Sequence, residues 1–178
     1  MKVYLVRHGQ STYNAAGLCN SDPSIPVHLT DLGRKQVTEL AEQLKYADFE
    51  QMYGSQLLRT EETAEIIDRL HGVTLTIDRR LNDNDSGFEG RLDSEGLKAW
   101  EAVKDPWTAR FNGGESIQDV ITRVSDFIND LRQEPYQSVM VVTSAVIIQA
   151  FYKILNDLSY EEAWKLPVDN ASCIEMRV

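Results

Sequence analysis

A chain of 178 residues, 42% hydrophobic and 26% charged, is long enough for one domain with a sizeable core and too short for two comfortable ones. Its 28 acidic and 18 basic residues leave a formal charge of −10, so nucleic acid and acidic membranes are poor partners, and any bound anion needs a local cluster of positive charge. Cys19 and Cys173 are too few and too far apart for a disulfide scaffold or a zinc motif and read as two free thiols. The opening MKVYLVRHGQ has no long apolar leader and no run approaches ~18 apolar residues, so the chain reads as soluble and cytoplasmic.

Residues 2–6 (KVYLV) form a continuous apolar run, the pattern of a strand buried on both faces. After a looser segment with Gly17, Asn20, Asp22, Pro23 and Pro26 as turn residues, Thr30 caps a helix through Leu32, Val37, Leu40, Ala41 and Leu44. A second short strand is read over 51–55. Ala64, Ile67 and Leu70 then trace a helix ending near Gly72, and Val73–Ile77 alternate as a third strand. Residues 81–96 (LNDNDSGFEGRLDSEG) are the least regular, the kind of stretch that carries function in a compact domain. Helical spacing returns at Ile117, Val120, Ile121, Val124, Ile128 and Leu131 behind a Ser116/Asp119 capping box. Ser138–Thr143 (SVMVVT) is another buried-type strand, followed at once by a helix through Val146, Ile147, Ala150, Phe151 and Ile154. Ser159 with Glu162 caps a short helix, and Ser172–Val178 reads as an edge strand. Strands alternating with helices, without a repeat or linker, predict one α/β domain over 1–178: a three-layer sandwich with a mostly parallel sheet flanked by helices.

In such sheets ligands bind beyond the carboxyl ends of strands, near helix N-termini. Two strand ends qualify, Val6-Arg7-His8-Gly9 and Thr143-Ser144-Ala145. An imidazole is nucleophilic and partly neutral near pH 7. An adjacent guanidinium matches phosphate oxygens, and a glycine lets backbone approach a ligand. His8 attacking phosphorus while Arg7 holds the charge is therefore one reading; alone, Arg-His-Gly reads more readily as a surface turn.

Several further segments lie in order along the chain: VRHGQSTYN (6–14), LTDLGRKQ (29–36), SQLLRTEETA (55–64), GFEG (87–90), GGES (113–116) and LPVDNAS (166–172). Together they resemble the motifs of the histidine phosphatase superfamily, also called phosphoglycerate mutase-like. The resemblance implies that His8 becomes transiently phosphorylated, that Arg7 and Arg59 clamp the phosphoryl oxygens, and that Asn14 donates a further hydrogen bond. Arg59 would stand in a helix's first turn, a poor place for a cation unless an anion is bound there. The family's proton donor, counted from Leu81 and from Gly87, falls on Asp83; Asp85 is a rival and Glu89 a more distant one. Asp83 and Asp85 can also be read as only making turns with their own backbone.

At 143–146 the family pattern Thr/Ser-His-Gly-Gly is replaced by Thr143-Ser144-Ala145-Val146, so Ser144 stands where a second histidine is expected and Ala145 where a glycine is. His28 and His71 do not replace it by motif and read as solvated. Ser144 donates one neutral hydrogen bond, and the N–H groups of the following helix still point at the site. The expectation is a phosphomonoester hydrolase acting on a small phosphorylated substrate, needing no cofactor or metal, with impaired turnover. The alternative is a phosphate-ligand binding protein that has lost catalysis. A phosphoglycerate mutase ranks below both, since family mutases carry longer insertions than 178 residues accommodate. Residues 101–111, with Trp100 and Trp107, are a candidate cover for the site, although core packing is the readier account of the tryptophans.

Overall fold

The structure, a computed structural model, describes residues 1–178. The chain runs β1 (Lys2–Arg7), α1 (Thr12–Ala16), α2 (Asp31–Leu44), β2 (Gln51–Gly54), α3 (Leu58–Asp68) and β3 (Leu75–Ile77). A 3-10 turn (Arg79–Leu81) follows, then α4 (Asp93–Glu101), α5 (Ile117–Leu131), β4 (Ser138–Thr143), α6 (Ala145–Asn156), α7 (Tyr160–Trp164) and β5 (Cys173–Arg177). The strands form one sheet in the order β3-β2-β4-β1-β5, parallel except for β5, which runs antiparallel to β1.

The apolar runs at β1 and β4 reflect coverage on both faces. Val3, Leu5, Val139 and Val141 enter one core with Val120, Val124, Phe127 and Ile128 of α5 and Ile147 and Phe151 of α6. The alternate residues Tyr4, Val6, Met140 and Val142 enter the other, with Val37, Leu40 and Ala41 of α2 and Ala64 and Ile67 of α3. A single-domain three-layer sandwich results. No helix is long and apolar enough to cross a membrane.

Capping fixes several starts. The Thr30 hydroxyl accepts from Gly33 N (2.9 Å), and Ser116 and Asp119 bond reciprocally at the head of α5. The strand predicted over 51–55 ends at Gly54, and the one predicted over 73–77 starts at Leu75, because the Asp68 carboxylate takes the Val73 N–H. Two helices are additional to the sequence reading. Five-residue α1 is too short to show a period, and α4, which begins inside the irregular 81–96 stretch, buries no residue and so carries no apolar stripe.

β1 and β4 are neighbours, with Arg7 opposite Thr143 at their carboxyl ends. From β1 the chain leads to α2 on one face; from β4 it enters α6 on the other. The divergence opens a crevice at a topological switch point. Gly9 and Gly33 let α2 close against this strand end. A Cβ on Gly9 would meet Gly33 O at 2.6 Å, and one on Gly33 would meet Gln10 O at 2.0 Å. The close approach that Gly9 permits is thus to α2, not to the crevice where a ligand was expected.

Candidate active site

His8 leaves β1 with a fixed backbone: its N–H donates to Thr143 O (3.0 Å), and its carbonyl accepts from Asn170 Nδ2 and Ala171 N, each at 3.1 Å. The side chain is 2% exposed. Nδ1 lies 2.7 Å from the Gly9 carbonyl, which can only accept, so Nδ1 carries the proton and Nε2 keeps its lone pair. Arg59 Nε donates to that Nε2 at 3.0 Å. Burial first, and then the charge of Arg59, hold the His8 pKa well below its ordinary value; the Gly9 carbonyl pulls the other way and Arg7 adds a smaller push downward. The imidazole is neutral, in the tautomer that presents Nε2.

Arg59, in the first turn of α3, is buried rather than solvated. Besides His8 it bonds the Asn20 side chain, Asn20 O (2.9 Å) and Asp83 Oδ2 (3.0 Å). Asp83 Oδ1 in turn accepts from Ser144 Oγ (2.7 Å) and from Asn84 N (2.9 Å). A continuous chain of polar contacts therefore runs from Ser144 through Asp83 and Arg59 to His8. Ser144 is the N-cap residue of α6, yet its hydroxyl is turned to Asp83 and does not cap, leaving the first N–H groups of the helix, beginning at Ala145, without a side-chain partner.

Arg7 spends Nη1 on Val168 O (2.5 Å), while its Nε is buried without a partner. Burial lowers its pKa, opposed by Asp83 and Asp169 and helped by Arg59. An orphaned, charged donor beside a neutral imidazole is the usual mark of a place for an anion. Asn14 closes the capping box of α1, its Oδ1 accepting from Ser11 N (3.1 Å). It lines, with Tyr13, Asn20, Arg59, Asp83 and Val146, a polar cavity of about 180 Å³ at the mouth of the crevice.

Of the three candidate acids only Asp83 lines this cavity. Asp85 turns to Gly87 N (3.1 Å) and the Ser21 hydroxyl, in keeping with a turn-forming role. Glu89 accepts from Ser21 N, Asp22 N and the Asn20 side chain, tying down the 20–22 loop. His28 pairs with Glu62 (2.7 Å), and His71 packs on Phe49 at 4.5 Å; the latter is half-buried rather than solvated. Trp100 and Trp107 are not core residues: they stand half-buried, in edge contact with each other, over a second cavity. Sequence reasoning did not nominate Asn20, read only as a turn residue, nor Thr63, whose hydroxyl accepts from Gly9 N (3.2 Å). Thr63 and Asn170 lie inside the family-like segments 55–64 and 166–172, and their positions there were the available signal.

Residues 3–178 match the histidine phosphatase superfamily (branch 1), and the chain belongs to that family. Among its relatives, Phosphoserine phosphatase 1 of Hydrogenobacter thermophilus is 31% identical over 181 residues, covering 97% of this chain and 84% of that protein. The alpha-ribazole phosphatase structure from Shigella flexneri superposes with a TM-score of 0.87 at 25% identity, covering 100% of this chain and 91% of the other. A mycobacterial glucosyl-3-phosphoglycerate phosphatase solved with VO3 gives 0.85 at 26% identity, covering 98% and 91%.

Proposed function

We propose that the chain is a phosphomonoester hydrolase that acts on a small phosphorylated metabolite through a phosphohistidine at His8 Nε2. One observation carries the reading: a buried, neutral imidazole has its Nε2 lone pair fixed toward a guanidinium by the Gly9 carbonyl. The relatives named for phosphatase activity on small phosphorylated compounds support it. An entering phosphoryl group takes over donors of Arg59 and the unpartnered Nε of Arg7, with Asn14 and the first N–H groups of α6 as further donors. The two arginines supply the positive charge, so the reaction is metal-independent. Nε2 then bonds phosphorus as the P–O bond to the alcohol breaks, and Asp83, having taken up the acidic proton of the entering monoester monoanion, passes it to the leaving oxygen. Water next attacks the phosphohistidine, returns a proton to Asp83 and releases His8.

Ser144 occupies the position of the histidine in the family motif, and its one hydroxyl proton is committed to Asp83. One preorganised donor is thereby missing from the transition state, a loss on the order of 10²–10³ in rate. Ground-state phosphate binding, served by two arginines, suffers less. That same contact favours a second reading, a phosphate-ligand binding protein without turnover.

Incubation with a chromogenic phosphate ester is expected to release phosphate from the wild type and not from His8→Ala, with acid-labile phosphohistidine trapped only in the former. Equal release by both proteins refutes the hydrolase; saturable phosphate binding without release by either selects the binding protein.

A further inference from the structure

Beside the polar cavity lies a larger one of about 570 Å³, and the two share Cys19, Asn84, Ser86, Asp93 and Val146 as common wall. The larger cavity is mostly apolar. All three tryptophans of the chain line it, although none is buried in the core. Trp107 is the hub. It meets Trp100 edge-on (4.9 Å between centroids, 82°), stacks on Tyr160 (5.0 Å, 16°) and meets Trp164 edge-on (5.6 Å, 69°). The ring's only polar atom, Nε1, donates to Glu161 (3.2 Å). Phe88 and Phe111, 6.0 Å apart, also line it. One side is covered by α4, which buries no side chain of its own and whose Leu97 is 54% exposed.

Such rings cost solubility and contribute nothing to either core, so packing does not account for their clustering. The charges on the walls narrow what fits. Asp93 accepts from the Cys19 thiol, Glu115 is paired with Arg123 (2.8 Å) and Glu161 accepts from Trp107, while Lys165 is the single cation among the lining residues. Carboxylates outnumber cations, which disfavours a second anionic group on the ligand.

We infer that the preferred substrate is the phosphate monoester of an alcohol carrying a flat, apolar ring system. The phosphate sits in the polar cavity against Arg59, the guanidinium that bonds His8, and the ring sits among Trp100, Trp107 and Trp164. The inference rests on the hydrolase reading for its site and adds the class of alcohol. It sets this chain apart from an amino-acid phosphate such as O-phosphoserine, whose ammonium and carboxylate would face indole and phenyl rings.

The test compares ethyl phosphate with 2-(1-naphthyl)ethyl phosphate, two primary alkyl esters with similar leaving groups, alongside O-phosphoserine and phosphocholine. Burying the naphthyl ring should raise kcat/KM on the order of 10²-fold over ethyl phosphate, chiefly through KM. Trp107→Ala, and separately Leu97→Asp at the lip, should collapse that ratio. A thermal melt checks that each variant is folded. Equal kcat/KM for the two alkyl esters overturns the inference, as does a preference for O-phosphoserine; a preference for phosphocholine overturns it in favour of a cation held by the aromatic box. The non-hydrolysable naphthylethyl and ethyl phosphonates, followed by tryptophan fluorescence, separate this inference from the catalytic one. Tighter binding of the naphthyl phosphonate with no turnover of any ester upholds the ring pocket and removes the hydrolase, whereas equal affinities remove the ring pocket whatever the turnover.

Discussion

Replacing His8 with Asn tests whether the imidazole is held neutral, because Asn keeps an N–H donor for the Gly9 carbonyl but does not titrate. Burial, followed by Arg59, pushes the His8 pKa well below its ordinary 6.5. In the unfolded chain the ring takes its proton near pH 6.5. Around and below that pH the unfolded state binds more protons than the native one, so stability falls as pH falls; more than a unit above it both states are neutral and nothing changes. The first unit below pH 6.5 costs roughly 1 kcal/mol, and each later unit about 1.4 kcal/mol until the folded ring itself titrates. With a urea slope of about 2 kcal/mol per molar, the midpoint moves by about 0.5 M in that first unit. Urea titrations at pH 7.5, 6.5 and 5.5 should show the wild type losing about 0.5 M more than His8→Asn between the last two, and only about 0.2 M more between the first two. His71, also shifted downward, is common to both proteins and cancels. Parallel pH dependences would refute the reasoning, since His8 would then carry its proton in the folded state as readily as in the unfolded one.

Ser144→His should raise kcat for a simple phosphate ester by on the order of 10²–10³, read by steady-state phosphate release. A folded variant with unchanged kcat shows that the donor at 144 does not limit the rate. Asp83→Asn keeps the size of the side chain and one acceptor oxygen, puts an N–H donor in place of the other and has no acidic proton to give, and kcat should fall by on the order of 10²–10⁴. Asp85→Asn should leave it unchanged, and an equal fall in both variants moves the acid away from Asp83. Gly33→Ala places a Cβ 2.0 Å from Gln10 O and forces α2 off the strand end, at a cost on the order of 1–3 kcal/mol in urea unfolding. An unchanged midpoint means that the helix does not press on the loop after His8.

Which parts of the molecule were legible follows from how far each contact reaches along the chain. β1 and β4 carry their burial as unbroken apolar runs, and α2, α5 and α7 carry their starts as caps within three residues of the first turn, so local sequence suffices for them. α4 was not legible because a helix that buries nothing has no stripe. The tryptophans misled for a related reason. Large aromatic residues usually pay for themselves in a core, and nothing local distinguishes one that lines a cavity.

At the site, local pattern placed Arg7 and His8 at a strand end and resemblance nominated Arg59, Asn14 and Asp83. They left Asp83, Asp85 and Glu89 open, since three carboxylates within seven positions of one irregular loop differ only in where the backbone aims them. The closed fold gives them different neighbours: the sheet brings Ser144, 61 residues further along the chain, to Asp83, and α3 brings Arg59 across to Asp83 and His8, while Asp85 and Glu89 turn to the loops at 87 and 20–22. It also decided the tautomer and charge of His8, which depend on a neighbour's carbonyl, on burial and on a guanidinium 51 residues away. Periodicity and capping are properties of consecutive residues, whereas proton positions and electric fields belong to groups that only the closed fold makes neighbours.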